Sequence, residues 1–138
     1  MTMHLGRFRV LLRIRCDARP SSNAVSLGDK FGCDPDSEAP QLVALALGLG
    51  LRLRGFSFHL GSPCAEAEAY HKGITTCRRL IKVAREAGCE GADVIDIGGG
   101  IPGERGFRLD EVSARTRGIF LETRLSHISY QWASSQPQ

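Results

Sequence analysis

Hydrophobic and polar positions alternate from Phe8 to Arg15, with Phe8, Val10, Leu12 and Ile14 on one side and Arg9, Leu11, Arg13 and Arg15 on the other. Period two over that span predicts a β-strand. A polar, turn-rich stretch follows from Asp17 to Asp36, containing Pro20, Asn23 and Pro35. Asp36 or Ser37 is placed to cap a short helix with apolar positions Leu42, Leu45 and Leu49, ending near Gly48–Gly50. Gly55–Leu60 predicts a second strand, with Phe56, Phe58 and Leu60 on one face and Ser57 and His59 on the other.

The clearest helix spans roughly Ala65–Ala87. Tyr70, Ile74, Cys77, Ile81 and Ala84 recur at helical spacing as one buried stripe, and Gly88 is placed to end it in a left-handed conformation. Asp93–Ile97 is a short β-branched run that stops at three glycines, and Leu109–Leu125 is a weaker helix candidate carrying Leu109, Val112 and Ile119. Ser126–Gln138 is rich in Ser and Gln without periodicity and is expected to form a disordered tail beyond a domain of residues 1–125. The order β, α, β, α, β, α predicts an α/β fold with a parallel sheet of three βα units. Three strands leave exposed sheet edges unless further strands pair with them.

Composition narrows the class. A chain of 138 residues with 42% hydrophobic and 24% charged residues has the profile of one globular domain, not of a disordered segment. The longest apolar stretch, Leu42–Leu53, is broken by two glycines and Arg52, so no transmembrane helix is expected. Met1–Val10 lacks an apolar core followed by a cleavage site, so secretion is not expected either. The net charge of +3 is spread over interleaved acids and bases, with no block resembling a nucleic-acid-binding arm. Cys16, Cys33, Cys64, Cys77 and Cys89 are odd in number, lack a CxxC pair and have no histidine at zinc spacing; reduced thiols of an intracellular protein are expected, and no metal.

The chemistry gathers at two strand ends. Gly98-Gly-Gly-Ile-Pro-Gly103 directly follows a strand, where glycine lets backbone N–H groups approach an anion closely. The hexapeptide formally fits the dinucleotide fingerprint GxGxxG. In that fingerprint the third glycine lies in the first turns of a helix, whereas here Pro102 and Gly103-Glu-Arg-Gly106 prolong the loop. A phosphate-binding loop is the favoured reading, and a ligand-free tight turn is the alternative. His59-Leu-Gly-Ser62 also ends a strand, and ligands of parallel sheets collect at strand carboxyl ends. Ser62 offers a hydroxyl and Gly61 an unobstructed N–H; His59 offers a flat imidazole, although a hydrogen-bonded structural histidine is the plainer alternative. Arg13 lies opposite Val10, Leu12 and Ile14 and is placed to meet a charged ligand, but Arg9 and Arg15 share its face and a solvated face is the competing reading. Asp96 is placed to orient the glycine loop by accepting backbone hydrogen bonds. Lys30 sits in a loop, Gly28-Asp-Lys-Phe-Gly32, which argues against a covalent role that needs a desolvated pocket.

Phe58-His-Leu-Gly-Ser62 and Asp96-Ile-Gly-Gly-Gly-Ile-Pro-Gly103 together resemble the paired cofactor motifs of eukaryotic ornithine decarboxylase, and Leu12-Arg-Ile14 and Lys30-Phe-Gly32 follow the same order upstream. The resemblance runs from about Val10 to Phe120. It implies part of an alanine-racemase-like (β/α)8 TIM barrel that binds pyridoxal 5′-phosphate. By the same resemblance His59 stacks on the pyridine ring, Ser62 and the backbone of Gly98, Gly99 and Gly100 hold the phosphate, and Arg13 lies near the cofactor. Lys30 matches a lysine that meets the partner subunit of a head-to-tail homodimer.

The departures from the family pattern are equally specific. The family's cofactor-bonding lysine belongs to an upstream segment without counterpart here, and the Glu-Pro-Gly-Arg motif expected after Phe120 is replaced by the sequence running into Ser126–Gln138. The family's catalytic cysteine belongs to a carboxyl-terminal domain also without counterpart, so no catalytic residue is assigned in this chain. Pro63 stands where the family has glycine or another small residue. Three readings result: a cytoplasmic, inactive portion of a decarboxylase forming putrescine from ornithine; a non-catalytic regulator resembling antizyme inhibitor, with antizyme as partner; or a portion of a related arginine, diaminopimelate or lysine decarboxylase. Neither nucleic acid nor membrane is expected as a partner.

Overall fold

The structure is a computed structural model and describes residues 8–16, 31–61, 64, 67–99, 114 and 127–129. Each short apolar run becomes a strand because a helix between runs buries it from one side. The elements in chain order are β1 (Arg9–Arg13), α1 (Ala39–Gly48), β2 (Arg52–Ser57), α2 (Ala67–Glu86), β3 (Val94–Asp96) and β4 (His127–Ser129). The strands form one sheet in the order β1-β2-β3-β4, and every neighbouring pair is parallel. Parallel pairing requires crossover connections, which α1 and α2 supply between the first three strands. The α/β fold with sequential parallel strands is therefore present.

Register aligns the strand ends. Leu12 pairs with Phe56 and Phe56 with Ile95, and this row faces the helices. One step on, Arg13 pairs with Ser57 and Ser57 with Asp96, which places three polar residues on the opposite face at the carboxyl ends of the strands. β2 begins three residues before the predicted start, because Gly55 continues the strand rather than opening it. Its φ of +151° and its packing against Val94, whose carbonyl occupies the space of a β-carbon, admit only glycine there. The register between β1 and β2 shifts just before this position.

The stripe predicted for the long helix is buried: Tyr70, Ile74, Cys77, Ile81 and Ala84 all lie in the core, joined by Leu80. The Phe58 ring packs onto the helix at Gly73, where a β-carbon would come within 2.5 Å of it. Truncating a phenyl ring buried this fully costs about 3–5 kcal/mol.

α1 corrects the reading of its face. Ala39, Val43 and Ala46 are buried, whereas Leu45 and Leu49 are 55% and 49% exposed and Leu42 is half-buried. The small side chains let the helix sit close to the sheet, and the leucines lie to the side, in an apolar groove with Leu11 and Leu51. Neither expected residue caps α1: the N-cap is Glu38, without a side-chain capping hydrogen bond, and the side-chain bonds lie in the turn ahead of the helix. Asp34, not Asp36 or Ser37, accepts the Asp36 and Ser37 N–H groups on Oδ1, while Glu38 Oε2 takes the Asp34 N–H at 2.6 Å. These backbone hydrogen bonds from Ser37 and Asp36 hold the Asp34 carboxyl below its usual range.

β4 corrects the tail. Val94, Ile95 and Asp96 pair in register with His127, Ile128 and Ser129, so three residues assigned to an aperiodic tail extend the sheet. Three residues are too few to display a period. Lys30, Ser62, Pro63, Gly100, the rest of the expected tail and, apart from Ala114, the helix expected over Leu109–Leu125 lie outside the described residues. Among the described residues no helix is long and apolar enough to cross a membrane.

Candidate functional site

Three chain segments meet at the carboxyl ends of β1, β2 and β3. After β2 the backbone hydrogen bonding continues for one residue, with Phe58 N–H donating to the Asp96 carbonyl at 2.9 Å, and then the two segments turn. His59 comes next, half-buried, on the side opposite the buried Phe58. Its Nδ1 accepts the Gly61 N–H at 3.0 Å, so the ring is tied to the turn that it begins. A ring nitrogen that accepts is unprotonated, which leaves Nε2 to carry the proton of the neutral imidazole.

The second turn is built by Asp96 and Gly98. Asp96 Oδ1 accepts the Gly98 N–H at 2.8 Å, closing a two-residue side-chain turn. Gly98 has φ +71°, and a β-carbon there would stand 2.6 Å from the Phe58 carbonyl oxygen and 3.0 Å from His59 Cδ2. The histidine turn and the glycine turn are thus in direct contact. The N–H of the next residue, Gly99, has no partner among the described residues.

Arg13 completes the rim. Its guanidinium stacks over Phe31, 5.3 Å from the ring centre, a cation–π arrangement on an exposed phenyl group. Phe31 is brought there because Cys33 bonds to the end of β1: Cys33 N–H donates to the Arg13 carbonyl at 2.9 Å and Arg15 N–H to the Cys33 carbonyl at 2.8 Å. Beside it, Arg15 pairs with Asp34 at 2.8 Å, which engages that arginine away from the rim. Burial and, secondarily, the Arg13 charge push the His59 pKa below its ordinary 6.5, with Asp96 acting in the opposite sense. The imidazole is therefore neutral at neutral pH.

The sequence-derived set is partly assembled by these contacts. His59 and Gly98 touch, Arg13 is close enough to act on His59, and Gly99 follows in the glycine turn. Ser62 and Gly100 belong to the undescribed residues. Phe31, the support of Arg13, was missed as a site residue, and its only signal was its place in the Lys30-Phe-Gly32 motif. A cavity of about 500 Å³ runs along α2 by Thr75, Arg78 and Lys82, and none of these site residues lines it.

The rim has the chemistry of a site for a flat ring bearing an anion: a neutral imidazole face, an arginine and an open backbone N–H beside a glycine that leaves no side chain in the way. The profile of the pyridoxal-binding domain of pyridoxal-dependent decarboxylases matches residues 2–117. The chain is 36% identical over 110 residues to ornithine decarboxylase 2 of Drosophila melanogaster, covering 80% of this chain and 27% of that protein. It is also 36% identical over 107 residues to antizyme inhibitor 2 of Xenopus laevis, covering 76% and 23%. Among solved structures, the arginine decarboxylase of Paramecium bursaria Chlorella virus superposes with a TM-score of 0.77 at 30% identity, over 90% of this chain and 33% of that one.

The chain belongs to the family of pyridoxal-dependent decarboxylases and corresponds to part of its pyridoxal-binding barrel domain. It spans about a quarter of the length of these curated relatives.

Proposed function

We propose that the chain is the pyridoxal 5′-phosphate-binding barrel portion of an ornithine decarboxylase-like protein, one that forms putrescine from ornithine in polyamine synthesis. The observation that carries the reading is the contact of the His59 turn with the Gly98 turn, at the sheet end that Arg13 also borders. When bound, the cofactor supplies the electron sink that decarboxylation of an amino acid needs. The chain's own contribution is to bind and orient. His59 offers the pyridine ring a neutral aromatic face, held in plane by the Gly61 N–H. Arg13 supplies positive charge near the phosphate, and Ser62, Gly99 and Gly100 supply donors to it.

Ornithine is favoured as substrate by the curated relatives, which include ornithine decarboxylases of an insect and of Caenorhabditis elegans. A homodimer and a cytoplasmic location accompany this reading. Lys72 and Lys82 are exposed on α2, and the 138 residues by themselves are expected to show little or no decarboxylation. The match to antizyme inhibitor 2 supports a second reading, a non-catalytic regulator of polyamine synthesis that engages antizyme.

A fluorescence titration separates the two. Pyridoxine 5′-phosphate is the probe, because it lacks the aldehyde that would react with exposed Lys72 and Lys82. Saturable binding that inorganic phosphate competes away supports the cofactor site. Its absence from the folded chain contradicts that site and favours the regulator.

A further inference from the structure

Asp96 is out of place in a site for an anion, since its carboxylate would repel a phosphate dianion. Its geometry explains its presence. The Gly98 N–H that the sequence reading offers to the phosphate already donates to Asp96 Oδ1 at 2.8 Å. Gly98 is turned to φ +71° and pressed against the Phe58 carbonyl and the His59 side chain. Asp96 itself is fixed by the register row Arg13, Ser57, Asp96, and its carbonyl takes the Phe58 N–H, so both ends of this residue tie the two turns together.

We propose that Asp96 is a positioning residue that shapes the glycine turn, and that Gly98 contributes room rather than a hydrogen bond to the phosphate, whose amide contact falls to Gly99. The inference rests on the pyridoxal phosphate reading and refines it. What matters in Asp96 is an acceptor two residues before the turn glycine, a role that aspartate and asparagine share. The negative charge is a by-product that works against the ligand.

The test compares Asp96→Asn with Asp96→Ala in the full chain, using pyridoxine 5′-phosphate affinity and amide hydrogen exchange at Gly98. Asparagine keeps the acceptor and removes the repulsion, so affinity is expected within about threefold of the native chain or tighter, with native exchange protection at Gly98. Alanine is expected to weaken binding by about tenfold or more and to speed Gly98 exchange. In the native chain the Gly99 amide proton is expected to move downfield on saturation and the Gly98 amide proton is not. A folded Asp96→Asn chain that loses about tenfold in affinity overturns the proposal, as does unchanged Gly98 exchange in Asp96→Ala. If Asp96→Ala does not fold, the asparagine comparison alone decides. If the native chain binds no pyridoxine phosphate, the cofactor reading fails on its own, and the exchange rates still decide whether Asp96 holds the turn.

Discussion

The backbone of Gly98 lies against the side chain of His59: a β-carbon on Gly98 would stand 3.0 Å from His59 Cδ2 and 3.1 Å from His59 Cβ. Two turns separated by α2 in the chain therefore share one surface, and neither can shift without the other. Gly98→Ala tests the consequence. The added methyl meets backbone at the Phe58 carbonyl, which has little freedom to yield, so stability is expected to fall by about 1–3 kcal/mol. Affinity for pyridoxine 5′-phosphate is expected to drop by about tenfold or more, because the ring of His59 is displaced. Urea denaturation and fluorescence titration of the same sample check both.

Protonation of His59 acts on the same contact. Its pKa lies below 6.5 in the folded chain, so below that pH the unfolded chain takes up a proton that the folded chain refuses. The stabilisation is present above pH 6.5 and is lost as pH falls through the lower, native value. Protonating Nδ1 also removes the acceptor of the Gly61 N–H. The melting temperature is expected to decline between about pH 7.5 and about pH 5.5 more steeply in the native chain than in His59→Asn, whose amide oxygen can replace Nδ1 as acceptor without titrating. Equal slopes would mean that His59 does not titrate in this window.

The exposed side of α1 and the buried stripe of α2 separate by substitution. Leu45→Lys is expected to change stability by no more than about 0.5 kcal/mol, as at other exposed positions. Leu80→Ala, in the buried stripe of α2, is expected to cost about 2–5 kcal/mol. Chemical denaturation of the two variants side by side checks the assignment, and a large loss at Leu45 would show that its face is covered.

The thiols differ in access. None of the five cysteines is in a disulfide; Cys33 is half-buried, whereas Cys77 is fully enclosed and its pKa is pushed well above 9.0 by burial. Alkylation of the native chain, followed by peptide mass spectrometry, is expected to label Cys33 first and Cys77 only on unfolding. Early modification of Cys77 would mean that α2 opens from the sheet.

Much of this arrangement is legible in the sequence because the relevant signals are local. The buried stripe of α2 follows from helical spacing alone, and the strands carrying Phe56 and Ile95 follow from short apolar runs that end in glycine or a polar turn. The motif residues lie at strand ends, where a parallel sheet collects its ligands. What is not legible depends on distance and size. The face of α1 is decided by how near the sheet the helix can come, which favours Ala39, Val43 and Ala46 over the more hydrophobic leucines. Ser37 gives its N–H and hydroxyl to Asp34 in the turn ahead of the helix, so its side chain does not cap α1. Phe31 reaches Arg13 only because Cys33 bonds to the edge of β1, a pairing that leaves no pattern in either segment.

Nuclear magnetic resonance titration of the full chain with pyridoxine 5′-phosphate tests the central claim most directly. The ring protons of His59 and the amide of Gly99 are expected to shift along one saturation curve, with a single dissociation constant, and inorganic phosphate is expected to reverse the Gly99 shift. Shifts confined to Arg78 and Lys82 on α2, with His59 and Gly99 unmoved, would contradict it.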